Sequence, residues 1–331
     1  MKRFRYGLIG VGPVGCVVAT HLVQSGAEVV VYSKDPEVTH AMKAGPIKVH
    51  GVIRAEAKFN NIHTNLTDFL EEKPDIIIFA VKSFNNRTLI DEIIQSGGLG
   101  KAVVVSCQNG LSVDEPITEA FGRAQSLRMV MNLGCKFSSK SEIEVKFFRP
   151  HILSKIKEVD EKIINQIVGD LNKANFSIEA RSDYQRDVFK KVILNSSLGT
   201  ICTLTGLTMR AAMDSPDIES VVRTLICESG ALARAAKIDL SESFIDEAMR
   251  YLQSGSDHMP SISLDIAHGR QTENEDQCGA LVNLGDKLGV DMPVTKAMYY
   301  LMRDLEKRSI SKFKINSKPN FKPNSKPNFK P

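Results

Sequence analysis

The sequence has few cysteines, and it has no long uninterrupted apolar segment. Its six cysteines are scattered over 331 residues, and no two of them have the Cys-x-x-Cys spacing of a zinc or redox motif. This distribution excludes a disulfide scaffold, so we expect free thiols in a reducing compartment and no metal site. No run reaches the 18 apolar residues of a membrane span, so we expect no membrane-spanning segment.

The start of the chain does not have the pattern expected of a secretory signal. Basic residues precede an apolar stretch there, but four glycines and a proline interrupt that stretch. No small-residue cleavage site follows it, which argues against a signal peptide. We therefore expect a cytoplasmic protein.

An excess of positive charge is absent from the body of the chain. The net charge of +4 comes from 43 Lys and Arg against 39 Asp and Glu, but eight of the cations and no acid lie in residues 307–331. The remaining 35 basic and 39 acidic residues give the body a net charge of −4. This balance argues against a nucleic-acid partner. The length and the 42% apolar content predict about two globular domains.

Short β-branched runs alternate with helical patterns in the first half of the chain. The runs VVVY, IIIFAV and VVVS are apolar on both faces, as strands of a parallel sheet covered on both sides must be. Strands are predicted at residues 6–9, 28–32, 75–81 and 102–106, with further candidates at 129–133 and 143–148. Helices are predicted at residues 14–24, 88–95, 113–121 and 159–173. This alternation predicts a doubly wound α/β sheet.

From about residue 183 the pattern becomes helical throughout. Helices are predicted at residues 189–198, 218–236, 243–252 and 278–288. We therefore expect an N-terminal domain over residues 1–182, an all-helical domain over 183–308 and a disordered basic tail over 309–331. The tail contains the unit NSKPNFKP twice, which is too poor in apolar residues to form a core.

A glycine motif joins the first predicted strand to the first predicted helix. Its residues are Gly10-Val11-Gly12-Pro13-Val14-Gly15. Gly10 permits the tight turn, Gly12 lets the backbone approach a pyrophosphate, and Gly15 allows close packing of helix on strand. This context predicts a Rossmann-type dinucleotide site rather than a turn without a ligand.

The end of the second predicted strand selects the cofactor. An NAD enzyme usually has Asp or Glu there, whereas a cation accommodates the 2′-phosphate of NADP. This strand is followed by Ser33 and Lys34, which favour NADPH, although Asp35 could turn inward instead.

Four polar residues lie where a substrate could bind. Lys82 and Asn109 follow predicted parallel strands, where open α/β sheets bind ligands. Lys191 and Asn195 are four residues apart, so they share one face of a predicted helix among apolar neighbours. A desolvated Lys loses pKa, which suits a proton donor. Taken alone, Lys82, Asn109 and Lys191 are each better explained as surface or turn residues.

A last polar cluster lies in the second half of the chain. It contains Ser261, Asp265, Arg270, Thr272 and Glu273. Ser261 and Asp265 share a face if this stretch is helical. An exposed polar helix with its cap explains the same pattern, and spacing does not separate the two.

Five motifs in this order resemble the ketopantoate reductase (2-dehydropantoate 2-reductase) family over about residues 5–306. They are GVGPVG, AVKSFNN, SCQNGLSVDE, FKKVILN and PSISLDIAHGRQTE. The resemblance implies NADPH-dependent reduction of 2-dehydropantoate in the route to pantothenate and coenzyme A, by a homodimer. It implies that Lys191 is the general acid and that Asn195, Ser261 and Glu273 hold substrate. Lys82 and Asn109 would line the site from the cofactor side, and these two residues and Glu273 would also contact the cofactor.

Several positions depart from the family pattern in the substrate half. Gly199 stands where the family usually has a second Asn, and Pro260-Ser261-Ile262 replaces the usual Ser-Ser-Met. The loss of the second Asn would weaken substrate binding, unless Gly199 merely caps a helix. Two alternatives therefore stay open. One is a sibling dehydrogenase for another 2-oxo or 3-hydroxy acid, and the other is a non-catalytic NADPH-binding sensor.

Overall fold

The computed structural model describes residues 4–255 and 257–316 and contains two compact units. The first unit comprises Met1–Ile193 with Ala233–Leu240, and the second comprises Leu194–Leu232 with Ser241–Pro331. The division after Ile193 comes later than the expected boundary at residue 182. The intervening helical residues include Lys191, which donates a hydrogen bond to the Met131 carbonyl of the first unit. Within the described residues, no helix combines the length and apolar character needed to span a membrane.

The strands of the described residues all belong to the first unit. They are β1 Arg5–Ile9, β2 Glu28–Tyr32, β3 Ile47–Gly51, β4 Ala55–Ala57, β5 Asn61–His63, β6 Ile76–Phe79, β7 Val103–Ser106, β8 Ser126–Val130, β9 Leu133–Ser139, β10 Glu142–Phe148, β11 His151–Ser154 and β12 Ile178–Arg181. Its helices are α1 Pro13–Gln24, α2 Pro36–Ala44, α3 Leu66–Glu71, α4 Asn86–Gln95, α5 Glu115–Phe121, α6 Glu161–Lys173 and α7 Tyr184–Leu194.

The main sheet has the strand order β12-β11-β8-β7-β6-β1-β2-β5. The run from β8 to β5 is parallel, whereas β11 pairs antiparallel with β8. Strands β6 and β7 are buried along their whole length, as their two-sided apolar pattern predicts. The expected Rossmann-type α/β fold is therefore confirmed.

A second sheet of four strands has the order β4-β3-β10-β9. The strand predicted at residues 143–148 lies in this sheet as β10. The strand predicted at residues 129–133 begins earlier, as β8, and ends at Val130.

The second unit is all-helical, as expected. Its helices are α8 Thr200–Thr205, α9 Met209–Met213, α10 Pro216–Ala235, α11 Phe244–Gln253, α12 Ser261–Ala267, α13 Ala280–Leu288 and α14 Pro293–Asn316, with the last turns of α10 assigned to the first unit. Two π turns, at Asn195–Gly199 and Glu275–Gly279, precede α8 and α13.

Helix α14 corrects the expected end of the helical domain. The sequence predicted a disordered tail from residue 309, but the helix continues to Asn316. Ser309 donates a hydrogen bond to the Ile266 carbonyl, and Phe313 lies against Gly269. These contacts hold the turns beyond residue 308 on α12. The remainder of the repeated tail lies outside the described residues.

Candidate active site

Five neighbouring parallel strands end side by side at one edge of the main sheet. In spatial order they are β8, β7, β6, β1 and β2. The residues of interest in the loops that follow them are Met131, Asn109, Lys82, Gly10 and Ser33, in the same order. Open α/β sheets bind ligands at this carboxyl edge. The first unit therefore brings the glycine motif, the second-strand residues, Lys82 and Asn109 to one edge.

The glycine motif makes the turn from β1 into α1. Gly10 has a φ of +105°, and a side chain there would strike the backbone of Ala80 and Val81. A Cβ on Gly15 would lie 2.1 Å from the Gly10 carbonyl oxygen, so only glycine allows the helix to lie this close. A Cβ on Gly12, by contrast, would meet nothing within 4 Å.

The start of α1 has the features of an anion site. Gly12 is the N-terminal cap and provides no side-chain hydrogen bond, and Pro13 occupies the first turn. The backbone N–H groups and the positive end of the helix dipole therefore face the open side of the loop. Together with the room above Gly12, this arrangement fits a dinucleotide pyrophosphate.

The three polar side chains of the loop after β2 form separate hydrogen bonds. The Lys34 ammonium lies 2.7 and 2.8 Å from the two carboxylate oxygens of Glu92, and this hydrogen bonding raises the Lys34 pKa. The buried Ser33 hydroxyl accepts from the Asp35 amide at 3.0 Å. The Asp35 carboxylate accepts from two amides of α2, at 3.0 and 3.1 Å, and caps that helix. Asp35 therefore does not turn inward as the sequence alone allowed.

The loops carrying Lys82 and Asn109 are joined by a buried polar network that the sequence did not reveal. The Gln108 side-chain nitrogen donates to the Val81 carbonyl at 2.9 Å and to Asn86 Oδ1 at 2.6 Å. Asn86 returns a hydrogen bond to Gln108 Oε1 at 3.0 Å. Arg128 donates to the Gly110 carbonyl at 3.0 Å. These bonds fix the backbone immediately beside Lys82 and on either side of Asn109.

Lys191 reaches the same sheet edge from helix α7. Its Nζ lies 2.5 Å from the carbonyl oxygen of Met131, the residue after β8. The flanking Val192 and Ile193 are buried, as their apolar character predicts, and Lys191 itself is half-buried. The ammonium is thus directed to the strand ends where the other first-unit candidates lie.

Three titratable groups of the first unit interact electrostatically with Lys191. Burial raises the pKa of the Cys107 and Cys135 thiols to about 12, against the opposing effect of the Lys191 charge. Burial, the Lys191 charge and His21 together lower the pKa of His151 to about 3. Both thiols and the imidazole are therefore neutral near pH 7.

The helix that carries Lys191 does not end where the sequence predicted. The sequence predicted a helix over residues 189–198, whereas the helical run extends from Tyr184 through the π turn to Thr205. Gly199 has helical backbone angles, and Gly206 is the left-handed cap. The suggestion that Gly199 caps the helix is therefore wrong. Each backbone hydrogen bond of the π turn spans one residue more than in an α-helix, so the residues after the turn are shifted by one position relative to an uninterrupted α-helix.

A side chain at position 199 would contact two of the other positions that depart from the family pattern. A Cβ on Gly199 would lie 3.6 Å from Ile262 and 3.9 Å from Pro260. Asn195, at the start of this π turn, is exposed. The two π turns also contact each other, so the turn that begins at Asn195 lies beside the turn that follows Glu273. The second unit therefore gathers its substrate candidates around the π turns.

The remaining candidates of the second unit have different surroundings. Ser261 is exposed and begins α12, with Pro260 as its cap, and Glu273 is buried. Asp265 is buried and forms an ion pair with Arg270 at 3.0 Å. Thr272 donates a hydrogen bond to Glu306. These last three residues hold α12, its following loop and α14 together, which explains them as structural groups.

Comparisons with known proteins identify the relatives of this chain. The family description "Ketopantoate reductase PanE/ApbA" matches residues 6–156, and "Ketopantoate reductase PanE/ApbA C terminal" matches residues 183–306. The 2-dehydropantoate 2-reductase of Pyrococcus abyssi is 22% identical over 301 residues, which cover 90% of this chain and 97% of that protein.

Two solved structures have the same fold. A ternary structure of D-mandelate dehydrogenase with NADH and anilino(oxo)acetate has a TM-score of 0.81 and 20% identity, and covers 92% of this chain and 99% of that one. A dimeric ketopantoate reductase from Staphylococcus aureus has a TM-score of 0.74 and 18% identity, over the same shares of the two chains. Because the two family descriptions span most of its length, this chain belongs to the ketopantoate reductase family.

Proposed function

We propose that this protein reduces 2-dehydropantoate to pantoate with NADPH, and that Lys191 is the general acid. The observation that carries the proposal is the placement of the Lys191 ammonium on the Met131 carbonyl, at the sheet edge that also holds the glycine motif, Lys82 and Asn109. Membership of the family supplies the reaction class.

Residues of the first unit would hold the cofactor. The glycine motif Gly10 to Gly15 would bind the pyrophosphate, and Ser33 with Lys34 would bind the adenosine ribose and its 2′-phosphate. By the resemblance to the family, Lys82, Asn109 and Glu273 would also contact the cofactor. When bound, NADPH supplies the hydride that reduces the substrate ketone.

Lys191 supplies the proton that this reduction requires. An ammonium group has three N–H donors, and the Met131 carbonyl orients one of them. A second donor can bind the substrate carbonyl oxygen, stabilise negative charge as it develops there and transfer a proton to that oxygen. Lys191 and Lys82 also favour an anionic 2-oxo acid, while Asn195, Ser261 and Glu273 would bind its polar groups.

Substitution of Lys191 tests this role. Lys191→Ala should lower kcat by about 10²–10⁴-fold, the usual contribution of a general acid, and leave the NADPH Kd unchanged. Lys190→Ala is the matched control, since it removes the adjacent cation of the same helix. Retained turnover in Lys191→Ala would refute the assignment. A native protein that binds NADPH but reduces no 2-oxo acid would instead be a cofactor sensor.

A second candidate is a dehydrogenase for a 2-oxo acid with a larger apolar group. It is favoured by the contact of Gly199 with Pro260 and Ile262, since the polar second Asn is missing and its neighbours are apolar. A substrate panel should contain 2-dehydropantoate, small aliphatic 2-oxo acids and the 2-oxo acid related to mandelate. A kcat/KM at least tenfold higher for the aromatic acid than for 2-dehydropantoate would establish this second candidate.

We further propose that the protein is a cytoplasmic homodimer. Support for the dimer comes from the dimeric relative of Staphylococcus aureus. Light scattering on the purified full-length chain would give twice the chain mass of 36.6 kDa for a dimer. A mass of one chain across the concentration range would contradict it.

A further inference from the structure

A single peptide group lies between Lys191 and a buried histidine. The carbonyl oxygen of Met131 accepts from Lys191 Nζ at 2.5 Å, and the amide N–H of Asn132 donates to His151 Nδ1 at 2.9 Å. That oxygen and that N–H belong to the same peptide unit, here called the 131–132 peptide. The ammonium and the imidazole therefore bind its opposite ends.

The hydrogen bond defines the tautomer of His151. A backbone N–H can only donate, so Nδ1 must be unprotonated and the ring proton of the neutral imidazole must be on Nε2. The ring is completely buried and packs against Phe148 and Phe176, with ring centroids 4.8 and 4.5 Å away. The low pKa of His151, about 3, keeps it neutral in the physiological range.

The cost of burying this imidazole favours a functional reason for it. Among the described residues, His151 Nε2 has no hydrogen-bond partner. A buried donor without a partner is destabilising, and an apolar side chain could pack against the same two phenylalanine rings without that cost. What an apolar side chain cannot provide is the Nδ1 acceptor.

We propose that His151 is a positioning residue for Lys191 and acts through the 131–132 peptide. By accepting from the Asn132 amide, the imidazole increases the negative character of the Met131 carbonyl oxygen, because linked hydrogen bonds polarise one another. The carbonyl then holds the ammonium more firmly and favours its protonated form. No proton passes through the peptide.

The loss of this acceptor has a predictable sign. Since a weaker carbonyl stabilises the ammonium less, the pKa of Lys191 should fall when His151 is replaced by an apolar residue. A general acid must be protonated, so activity would then be lost at a lower pH. The Cys107 and Cys135 thiols also interact electrostatically with Lys191, and both remain neutral through this range.

Three variants test the inference, which rests on the proposed role of Lys191. His151→Leu should lower kcat about three- to tenfold and move the alkaline limb of the pH profile down by about half to one pH unit, with an unchanged NADPH Kd. His151→Asn keeps an acceptor oxygen near the Nδ1 position and should restore most of both. His21→Leu is the control, since His21 also contacts Phe176 but binds the Val17 carbonyl instead.

The outcomes against the proposal are equally definite. A native pH profile in folded His151→Leu, or an equal loss in His151→Asn, would overturn it. If His151→Leu does not fold, the pH profile of His151→Asn is compared with that of the native enzyme. A displaced alkaline limb in His151→Asn would then overturn the proposal.

A measurement without turnover separates this inference from the proposed function. Long-range ¹H–¹⁵N spectra of the histidine-labelled native protein should show His151 with an unprotonated Nδ1 down to about pH 4. A protonated Nδ1, or titration of His151 near pH 6.5, would overturn the inference whichever substrate is reduced. Failure of every substrate assay together with the expected spectrum would instead count against the proposed function alone.

Discussion

Lys34 and Glu92 should together determine how strongly the protein prefers NADPH to NADH. The Lys34 ammonium lies within 2.8 Å of both Glu92 oxygens, and it is also the cation proposed to bind the 2′-phosphate. The phosphate and the carboxylate therefore compete for one ammonium. We expect Lys34→Ala to weaken NADPH binding and Glu92→Gln to strengthen it, with NADH binding unchanged in both variants.

The magnitudes follow from the exposure of the pair. A hydrogen bond to a charged group contributes about 1.5–3 kcal/mol, but the Lys34 side chain is 64% exposed, and solvent screening reduces this to about 1–2 kcal/mol. Lys34→Ala should therefore raise the NADPH Kd about five- to thirtyfold. An exposed ion pair contributes about 0.2–1 kcal/mol, so Glu92→Gln should lower that Kd by at most about fivefold.

Fluorescence titrations with both cofactors at low and high ionic strength provide the assay. The double variant should bind NADPH more tightly than Lys34→Ala alone, because it lacks the unpaired Glu92 carboxylate that repels the phosphate. Lys43→Ala is a control for the loss of one exposed cation in the neighbouring helix. Equal Kd values of the native protein for NADPH and NADH, or an equal loss of both in Lys34→Ala, would refute the reasoning.

Four further outcomes can be measured directly. Gly199→Asn should lower the KM for 2-dehydropantoate about two- to tenfold, because a Cβ has room beside Ile262 and the new amide restores one polar group. A loss of activity in the folded variant would instead favour a bulkier substrate. Gln108→Leu should lower both the unfolding temperature and kcat, because it leaves buried groups of the network without partners; an unchanged unfolding temperature would contradict this. Gly15→Ala should abolish either folding or the binding of both cofactors, because its Cβ would lie 2.1 Å from a carbonyl oxygen. A folded variant that binds NADPH with the native Kd would disprove this clash. Between pH 6.5 and about 3, His151 is protonated in the unfolded chain but not in the folded chain. The free energy of unfolding should therefore fall by up to about 1.4 kcal/mol for each unit by which the pH falls. In urea unfolding, this pH dependence should be weaker for His151→Asn than for the native protein.

The parallel sheet could be predicted from the sequence because its strands carry their own signal. Strands such as β6 and β7 are buried on both faces, so nearly every residue in them must be apolar. The short strands β3 to β5 were not predicted. Strand β3 alternates buried and exposed residues, and β5 is only half-buried and has three residues. Such short segments become strands through pairing with distant partners, which a local pattern does not contain.

The helix around Lys191 shows a different limit of prediction from sequence. Apolar neighbours predicted a buried helix there, and the structure has one. Spacing of four along a sequence, however, is compatible with an α-helix and with a π turn, which differ in one hydrogen-bond register. The turn at Asn195–Gly199 is stabilised by contacts with the second π turn, about 80 residues later in the chain. Sequence spacing therefore could not predict the register of the helix beyond Gly199.

The candidate site divides in the same way between local and tertiary information. Motif residues such as Lys82 and Asn109 follow recognisable strands, and the carboxyl-edge rule places them together before any coordinates are known. His151 belongs to no motif, and its acceptor acts on a main-chain amide of Asn132, whose peptide binds Lys191 on its other side. Every residue has the same main-chain groups, so a side chain that acts by binding a main-chain group cannot be recognised from a sequence motif. Residues of this kind can be found only where strand pairing, here of β11 with β8, brings the peptide and the side chain together.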